Sequence, residues 1–435
     1  MERLISFVNE HINDDTARLI MNRAKWPEID MDMAVNCIES HRKLKGKVQE
    51  WCDEPRLVFP RRLSAEQCSS SATGTYKANL ASSIVSDYKL ADLTGGLGVD
   101  SWFFSKKASQ VLYCEMLPEL CKAAEHNFGV LGASNITVQN VAVSVESGDA
   151  DEVFRTPAEI LSDFCPDIVY MDPARRGEGG KKVFLLEDCT PDVLTLKDEI
   201  FKFTRHILLK LSPMADITMV CDRLGHTCRE VHVVAAGGEC KELLVWMDKE
   251  WNDEYSIHAV ELHKDGGEPG VFSFMPSQEK ACCVVSGKIP AVGDLYLFEP
   301  GKALMKAGAF NLVADRFGLV KLGKSTHYYL FCQGGDGERH SEAGHLQFQS
   351  SPIKLQLHGK VFKIVRLEQL DKRSIKAFGQ DFPKAEVTAR NIPMDTDTLR
   401  KKLGVSSGDD IHIFGLKSDS RGNLLIAAEV VRTPR

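Results

Sequence analysis

A glycine-rich segment, DLTGGLGVD at residues 92–100, has the composition of a turn that binds a nucleotide-like cofactor. It lies between an apolar run and an amphipathic stretch, which predicts a strand, a turn and a helix. Gly95, Gly96 and Gly98 allow the backbone to approach a ligand closely, and the N-terminal end of the next helix favours negative charge. Seventeen residues after Gly98, a second apolar run ends in Glu115, where an acid can bind ribose hydroxyls. These features indicate either a dinucleotide or S-adenosylmethionine (SAM).

A second segment whose residue types could do chemistry is DPARR, residues 172–176. An acid at the carboxyl end of a fourth strand lies across the switch point of the sheet from the cofactor turn. The segment is similar to the DPP-type and NPP-type loops of SAM enzymes, in which an acid and a carbonyl oxygen grip an amine of a base. That similarity makes Asp172 the candidate that orients the amine or takes its proton during methyl transfer to nitrogen, with the Pro173 carbonyl as hydrogen-bond acceptor. Arg175 and Arg176 add positive charge suited to a phosphate. The alternative is that both arginines form ion pairs with neighbouring acids.

The strands that must position these residues are predicted from apolar runs. They recur at 136–143, 167–172, 206–211, 231–236 and 243–247, mostly separated by helix-length segments, which indicates a parallel sheet covered on both faces. Six residues separate the last two runs. A parallel crossover needs about a dozen, so this pair is expected to be an antiparallel hairpin. The predicted fold is α/β, a seven-stranded Rossmann-like sheet with an antiparallel last strand, which resembles the class I methyltransferase fold and favours SAM.

The region before the first strand is predicted to be helical. Asp14 or Asp15 can cap one helix, Asp30 or Asp32 the next, and Ser64 has capping-box spacing to Gln67. In SAM folds the helix before the first strand often covers the methionine end of the cofactor. Three polar residues on it are possible contacts there, with packing against the sheet edge as an equally good alternative: Thr73, Tyr76 and Lys77.

Composition limits the class of protein. The chain has 435 residues, 43% of them apolar, which is enough for two to four domains with proper cores. No run approaches the length of a membrane span, and the N-terminus is charged, so no membrane partner and a cytoplasmic location are expected. The 13 cysteines are scattered without a CxxC pair, which predicts reduced thiols and no metal site.

Charge is unevenly distributed along the chain. Residues 353–435 contain 16 Lys and Arg against 10 Asp and Glu, whereas the remaining 352 residues contain 38 against 51. A basic terminal segment on an acidic body favours an anionic partner, usually nucleic acid. The alternative is that these lysines only keep the surface solvated.

Several motifs together resemble a bacterial family of class I SAM-dependent methyltransferases with a C-terminal THUMP-like domain. They are DLTGGLGVD, the DPARR loop, KLSP at 210–213 and NIPMDTDTLRKKLGVSSGDDIHIFG at 391–415, with a ferredoxin-like segment at 294–322. The resemblance covers essentially the whole chain. It implies an N-terminal helical region at 1–85, a SAM-dependent methyltransferase domain at 86–250, a ferredoxin-like unit at 280–333 and a THUMP-like domain at 353–435, the last two being α+β modules.

The resemblance also implies site residues. Thr94 replaces the first glycine of the usual loop and can bind the cofactor carboxylate, and Asn140 replaces the acid that often lies near adenine. The expected cofactor-binding residues are Asp92, Thr94, Gly95, Gly96, Gly98, Glu115, Met116, Asn140 and Asp172. The expected catalytic residues are Asp172, Pro173 and Arg175, and the expected substrate-binding residues are Arg175, Arg176 and Lys210.

The predicted function is SAM-dependent methylation of a nucleotide in RNA (tRNA or rRNA), with nitrogen favoured as acceptor. One alternative is methylation of a small molecule or a protein, and another is a SAM-fold protein that binds RNA without catalysis. The DPAR sequence is also similar to the DPPR loop of enzymes that methylate carbon 5 of pyrimidines. Those enzymes need a cysteine after the fifth strand, where this chain has Leu211, Ser212, Pro213 and Met214, so that chemistry is not expected.

Overall fold

The structure is a computed structural model of the chain. It describes residues 1–147, 153–175, 186–263, 266–284, 294–333, 351–408 and 410–432. The chain divides into two compact units, the first made of residues 1–231 and 241–255 and the second of residues 232–240 and 256–435. Across the described residues, every helix is too short or too polar to span a bilayer.

The first unit begins with six helices: α1 (Glu2–Glu10), α2 (Thr16–Met21), α3 (Met31–Leu44), α4 (Gln49–Cys52), α5 (Arg62–Gln67) and α6 (Ser71–Ile84). Asp15 and Asp30 cap α2 and α3 by accepting hydrogen bonds from backbone amides two and three residues ahead, as expected. The capping box expected at Ser64 is wrong, because Ser64 lies inside α5. The box is instead formed by Ser70 and Thr73 at the start of α6.

The sheet region that follows alternates strands and helices: β1 (Lys89–Asp92), α7 (Val99–Ser105), β2 (Gln110–Cys114), α8 (Pro118–Val130), β3 (Ile136–Gln139), β4 (Ala142–Val143), β5 (Phe154–Arg155), α9 (Pro157–Leu161), β6 (Ile168–Met171), β7 (Ala174–Arg175), β8 (Cys189–Thr190), α10 (Val193–Ile200), β9 (His206–Leu211), α11 (Ile217–Leu224), β10 (Cys228–Ala236), β11 (Glu239–Asp248), β12 (Ser256–Leu262) and β13 (Gly270–Phe274). The strand expected over 136–143 is in fact two, β3 and β4, and β4 pairs with β5 outside the main sheet.

The main sheet has the order β13-β12-β10-β11-β9-β6-β1-β2-β3. β1 runs parallel to β2 and β6, and β6 runs parallel to β9, whereas β11 is antiparallel to β9. The predicted antiparallel last strand is therefore confirmed. The expected count of seven strands is too low for the sheet as a whole, because the stretch after β11 adds the antiparallel pair β12 and β13.

The second unit, which also contains β12 and β13, continues with these elements: α12 (Pro276–Ala281), β14 (Asp294–Pro300), α13 (Lys302–Ala307), α14 (Phe310–Arg316), β15 (Val320–Lys321), β16 (Tyr329–Gln333), α15 (Pro352–Gln356), β17 (Gly359–Gln369), α16 (Lys372–Asp381), β18 (Glu386–Arg390), α17 (Thr396–Leu403), β19 (Ile411–Ser418) and β20 (Gly422–Val430). Seven strands form one sheet in the order β15-β16-β14-β17-β20-β19-β18. Leu297 of β14, Phe362 of β17 and Phe414 of β19 share one buried cluster. The segments before and after residue 350 therefore fold around a common core.

Candidate active site

The glycine turn between β1 and α7 packs tightly against β2. A Cβ atom on Gly95 would lie 2.2 Å from the Tyr113 ring, so only glycine fits there. Gly96 and Gly98 have φ angles of +56° and +88°, which glycine adopts without strain. The Tyr113 hydroxyl donates a hydrogen bond to the Gly96 carbonyl at 2.6 Å, which fixes the turn at the carboxyl edge of the sheet.

Glu115, at the end of β2, lies directly beside this turn. Its carboxylate accepts hydrogen bonds from the backbone amides of Gly96 and Leu117, each at 2.9 Å. Burial raises the pKa of Glu115, and these amide donors oppose that rise. Asn140 donates its side-chain amide to the Glu115 carbonyl at 2.8 Å, and the neighbouring Met116 is 46% exposed. The structure thus brings the glycine turn, Glu115, Met116 and Asn140 together, as a shared ligand would require.

Asp92 and Thr94 stabilise the glycine turn by hydrogen bonds. Asp92 is 1% exposed, and it accepts hydrogen bonds from the Thr94 amide at 3.0 Å and the Ser101 hydroxyl at 2.6 Å. Burial raises the pKa of Asp92 to about 7. The Thr94 hydroxyl accepts a hydrogen bond from the Asp172 amide at 2.6 Å. Thr94 therefore links the glycine turn to the loop after β6. Asp92 is buried and stabilises the turn by hydrogen bonds.

Asp172 lies one position beyond the strand pair formed by Met171 of β6 and Leu209 of β9, which places it beside Lys210. Lys210 Nζ is 2.6 Å from Asp172 Oδ2. The Asp172 side chain is 39% exposed and that of Lys210 only 12%. Two residues that the sequence assigned to separate roles, catalysis and substrate binding, therefore form one ion pair at the carboxyl edge of the sheet.

Behind this pair lies a second one, which is buried. Lys77 of α6 is fully buried, and its Nζ contacts both carboxylate oxygens of Glu242 at 2.8 and 2.9 Å. Glu242 lies near the start of β11, and because β11 is antiparallel its first residues reach the carboxyl edge of the sheet. Helix α6 packs closely against α7 at Gly74, where a Cβ atom would lie only 2.3 Å from the Phe103 ring.

Asp100, in the first turn of α7, connects the two pairs. It lies 3.3 Å from Lys77 Nζ and 3.8 Å from Lys210 Nζ. The hydroxyls of Ser69 and Tyr170 donate hydrogen bonds to it at 2.9 and 2.8 Å. We refer to the five charged residues as the lysine–carboxylate network: Lys77, Asp100, Asp172, Lys210 and Glu242.

The network controls the charge of its members. Burial alone would raise the pKa of Asp100, but the two lysine ammonium groups outweigh it and lower that pKa. Burial alone would likewise lower the pKa of Lys210, but the carboxylates of Asp172, Asp100 and Glu242 raise it. Lys210 is therefore held as a cation beside Asp172. Burial raises the pKa of Glu242, opposed by the two lysines.

Sequence reasoning missed part of this site. Asp100 lies in the DLTGGLGVD motif, but neither it nor Glu242 is among the site residues that the sequence predicts. Lys77 and Thr73 were possible contacts at the methionine end of the cofactor, with packing as the alternative. Both are buried: Lys77 is paired with Glu242, and Thr73 forms the capping box. The signal for Glu242 was the antiparallel last strand, which brings its first residues to the edge that holds Asp172.

The remaining predicted residues lie in the loop after β6. Pro173 is half-buried, and Arg175 pairs through its backbone with Cys189 in the short ladder of β7 and β8. The Arg175 side chain and the whole of Arg176 lie outside the described residues.

Comparisons with known proteins match two segments of the second unit to domain families and find a solved structure of similar fold. A ferredoxin-like domain family model matches residues 296–332, and a THUMP domain-like family model matches residues 359–429. A protein of Porphyromonas gingivalis W83, assigned as a methyltransferase, has a crystal structure that superposes with a TM-score of 0.78 at 29% identity, covering 99% of this chain and 98% of that one. The chain has the class I methyltransferase fold.

Weaker likenesses cover only parts of this methyltransferase-fold chain. An rRNA methylase of Streptococcus thermophilus matches 40% of this chain and 94% of its own, with 11% identity and a TM-score of 0.29. A ribosomal protein L11 methylase of Lactobacillus delbrueckii subsp. bulgaricus matches 44% of this chain and 81% of its own, with 15% identity and a TM-score of 0.27. No curated protein matches the sequence.

Proposed function

We propose that the protein is a SAM-dependent methyltransferase that modifies a nucleotide of RNA. The observation that carries the proposal is the link between two halves of one cleft: the Thr94 hydroxyl binds the Asp172 amide at 2.6 Å. The turn suited to a cofactor and the residues suited to chemistry on an acceptor therefore lie next to each other. This is the arrangement that transfer between two bound groups needs.

The residues fit the cofactor. The backbone of Gly95, Gly96 and Gly98 would lie against its methionine part, and Glu115 keeps carboxylate lone pairs for the ribose hydroxyls besides those used by two amides. Met116 and Asn140 would border the adenine. SAM would supply an electrophilic methyl group bonded to a positively charged sulfur. The expectation that no metal takes part stays a prediction.

RNA is favoured as substrate by charge. Five exposed cations lie on α16 and α17 and form no ion pair with a described carboxylate: Lys372, Arg373, Lys376, Lys401 and Lys402. Cations in this number provide affinity for a phosphate backbone without regard to its sequence. Arg175 and Arg176 stay candidate phosphate contacts near Asp172. The THUMP-like match at residues 359–429 supports the same partner by analogy only.

The sequence favours a nitrogen acceptor because Asp172 and the Pro173 carbonyl could hold an amine. In the fold the Asp172 carboxylate is paired with Lys210 at 2.6 Å. This pair adds a cation next to the carboxylate that would hold the amine, and the cation bears on the choice of acceptor atom.

The proposal is tested by comparing modified nucleosides in total RNA from a strain that lacks the gene and from its parent. We expect one methylated nucleoside to be missing and to return when the wild-type gene is restored. Return with the wild-type gene but not with an Asp172→Asn gene would assign the missing methyl group to this cleft. Identical RNA profiles would contradict an RNA substrate and favour a small molecule or protein instead.

A further inference from the structure

The lysine–carboxylate network is costly for a purely structural feature. It contains three carboxylates and two ammonium groups, and only Asp172 is well exposed to water. Burying ionised groups carries a desolvation penalty that their mutual attraction often does not recover, and apolar residues of similar size would hold the same elements at least as firmly. A network of this kind at the reactive edge of the sheet therefore points to chemistry.

The position of Lys210 decides which acceptor suits the cleft. A nitrogen lone pair that attacks a methyl group becomes positively charged, and a lysine ammonium beside it would oppose that charge. A hydroxyl behaves in the opposite way, because its oxygen becomes more negative as its proton leaves. The Lys210 ammonium, held as a cation among three carboxylates, stabilises a developing oxygen anion and not a developing ammonium.

We infer that the methyl acceptor is a hydroxyl oxygen, and specifically the ribose 2′-hydroxyl of an RNA nucleotide, bound beside the Lys210–Asp172 ion pair, within reach of both groups. The inference rests on the proposed function in that the acceptor belongs to RNA. The 2′-hydroxyl is the hydroxyl that an internal RNA nucleotide offers, since its 3′ and 5′ oxygens are esterified to phosphate.

The step balances with the groups present. The acceptor oxygen forms a bond to the methyl carbon while the carbon–sulfur bond breaks, with its electron pair left on sulfur. The hydroxyl proton passes to Asp172, the most exposed carboxylate of the network. Lys210 remains protonated throughout and interacts with the oxygen while negative charge grows on it.

Lys77 and Glu242 act as positioning residues in this scheme. Lys77 is fully buried and cannot touch a substrate, but its ammonium lies 3.3 Å from Asp100. The Ser69 hydroxyl, which binds Asp100, also accepts hydrogen bonds from Lys77 at 2.9 Å and from Lys210 at 3.4 Å. These contacts hold Asp100 in place. Asp100 in turn positions the Lys210 ammonium so that it reaches Asp172.

The inference is tested by locating the transferred methyl group. The purified full-length protein is incubated with SAM labelled in its methyl group and with RNA from a strain lacking the gene, and the RNA is hydrolysed with alkali. Alkali cleaves RNA through the 2′-hydroxyl, so a 2′-O-methyl group leaves a resistant dinucleotide, whereas a methylated base appears in a mononucleotide. We expect the label in dinucleotides.

The other outcomes separate this inference from the proposed function. Label in mononucleotides would overturn the hydroxyl acceptor and leave an RNA methyltransferase standing. Absence of label from RNA, together with unchanged nucleosides in the deletion strain, would overturn both.

A second experiment uses Lys210 itself. Lys210→Met should lower label transfer about a hundredfold or more, and Lys210→Arg, which keeps a cation beside Asp172, should retain more activity. Calorimetry should show unchanged SAM affinity in both variants, which separates a role at the acceptor from a folding defect. The matched control is Lys202→Met, because Lys202 is exposed and its ammonium is paired with Glu199 at 2.6 Å. Equal or faster transfer by Lys210→Met would favour a nitrogen acceptor and overturn the inference.

Discussion

The two halves of the cleft differ in how they are built. The cofactor half comes from two short segments, residues 92–98 and 113–116, whose turn is fixed by backbone hydrogen bonds and a tight approach to Tyr113. The acceptor half draws its charged residues from α6, α7, the loop after β6, β9 and β11, and it is held by ion pairs. The cofactor half is built mainly from two short segments, whereas the acceptor half assembles single residues from five distant parts of the chain. The two halves should therefore respond differently to substitution.

The largest expected effect concerns the buried end of the acceptor half. Lys77→Met leaves Glu242 buried without its cation, which should destabilise the fold by about 3–5 kcal/mol. Combining it with Glu242→Leu removes the unpaired charge, so the double variant should recover most of that loss. Methyl transfer should nevertheless stay low, because Asp100 and Lys210 have lost their positioning. Denaturant unfolding and the labelling assay measure the two properties separately, and full recovery of both would make the buried pair purely structural.

The next effect concerns the exposed end of the network. Asp172→Asn keeps the shape of the side chain but cannot take a proton, so the transfer rate should fall about a hundredfold or more. KM for RNA and the affinity for SAM should change little, because the lost interaction matters in the transition state. Asp163→Asn, which changes an exposed carboxylate in the segment between α9 and β6, is the control. Normal kcat in the Asp172 variant would reduce this residue to part of the turn.

The cofactor half should show the reverse pattern, a loss of binding. Glu115→Ala removes a charged acceptor, and SAM affinity measured by calorimetry should weaken by about 1.5–3 kcal/mol. Glu119→Ala is the control, because Glu119 is half-exposed and lies near Arg61 at 3.8 Å. Equal SAM affinity in a folded Glu115 variant would exclude Glu115 from the ribose site and leave the glycine turn without its expected partner.

This contrast explains how far the sequence could predict the molecule. The positions of the strands, the antiparallel β11 and the placement of the glycine turn near Glu115 follow from local patterns, because apolar periodicity and glycine spacing are encoded in contiguous residues. Lys77 and Glu242 are 165 residues apart, and their contact depends on which face of α6 meets β11. A single lysine in a helix is usually exposed to solvent, so the burial of Lys77 could not be inferred without knowing how α6 packs.

The same limit applies in the second unit. Helix α17 was predictable from local residues: Asp395 caps it by accepting the Thr398 amide, and Gly404 ends it with a φ angle of +68°. The pairing of β17 with β14 was not predictable, because three helices and two strands of the described residues lie between them in the sequence, and 280–333 and 353–435 were expected to be separate modules. Long-range pairing is set by the shared core and leaves no local signature.

The shared core also limits how RNA binding can be tested. This experiment has the smallest expected effect per residue. Removing residues 353–435 would strip β17 to β20 from the sheet and expose Leu297, so the surface charges must be changed in the full chain. Replacing the five exposed cations of α16 and α17 by Gln should make RNA affinity less dependent on salt, by about 0.7 in the logarithmic slope for each cation that contacts a phosphate. SAM affinity should not change. The control neutralises five exposed cations of the first unit: Arg23, Lys25, Lys45, Lys107 and Lys122. An equal fall in slope with the control set would show that RNA is attracted by overall charge, and it would remove α16 and α17 as the binding surface while leaving the chemistry of the cleft untouched.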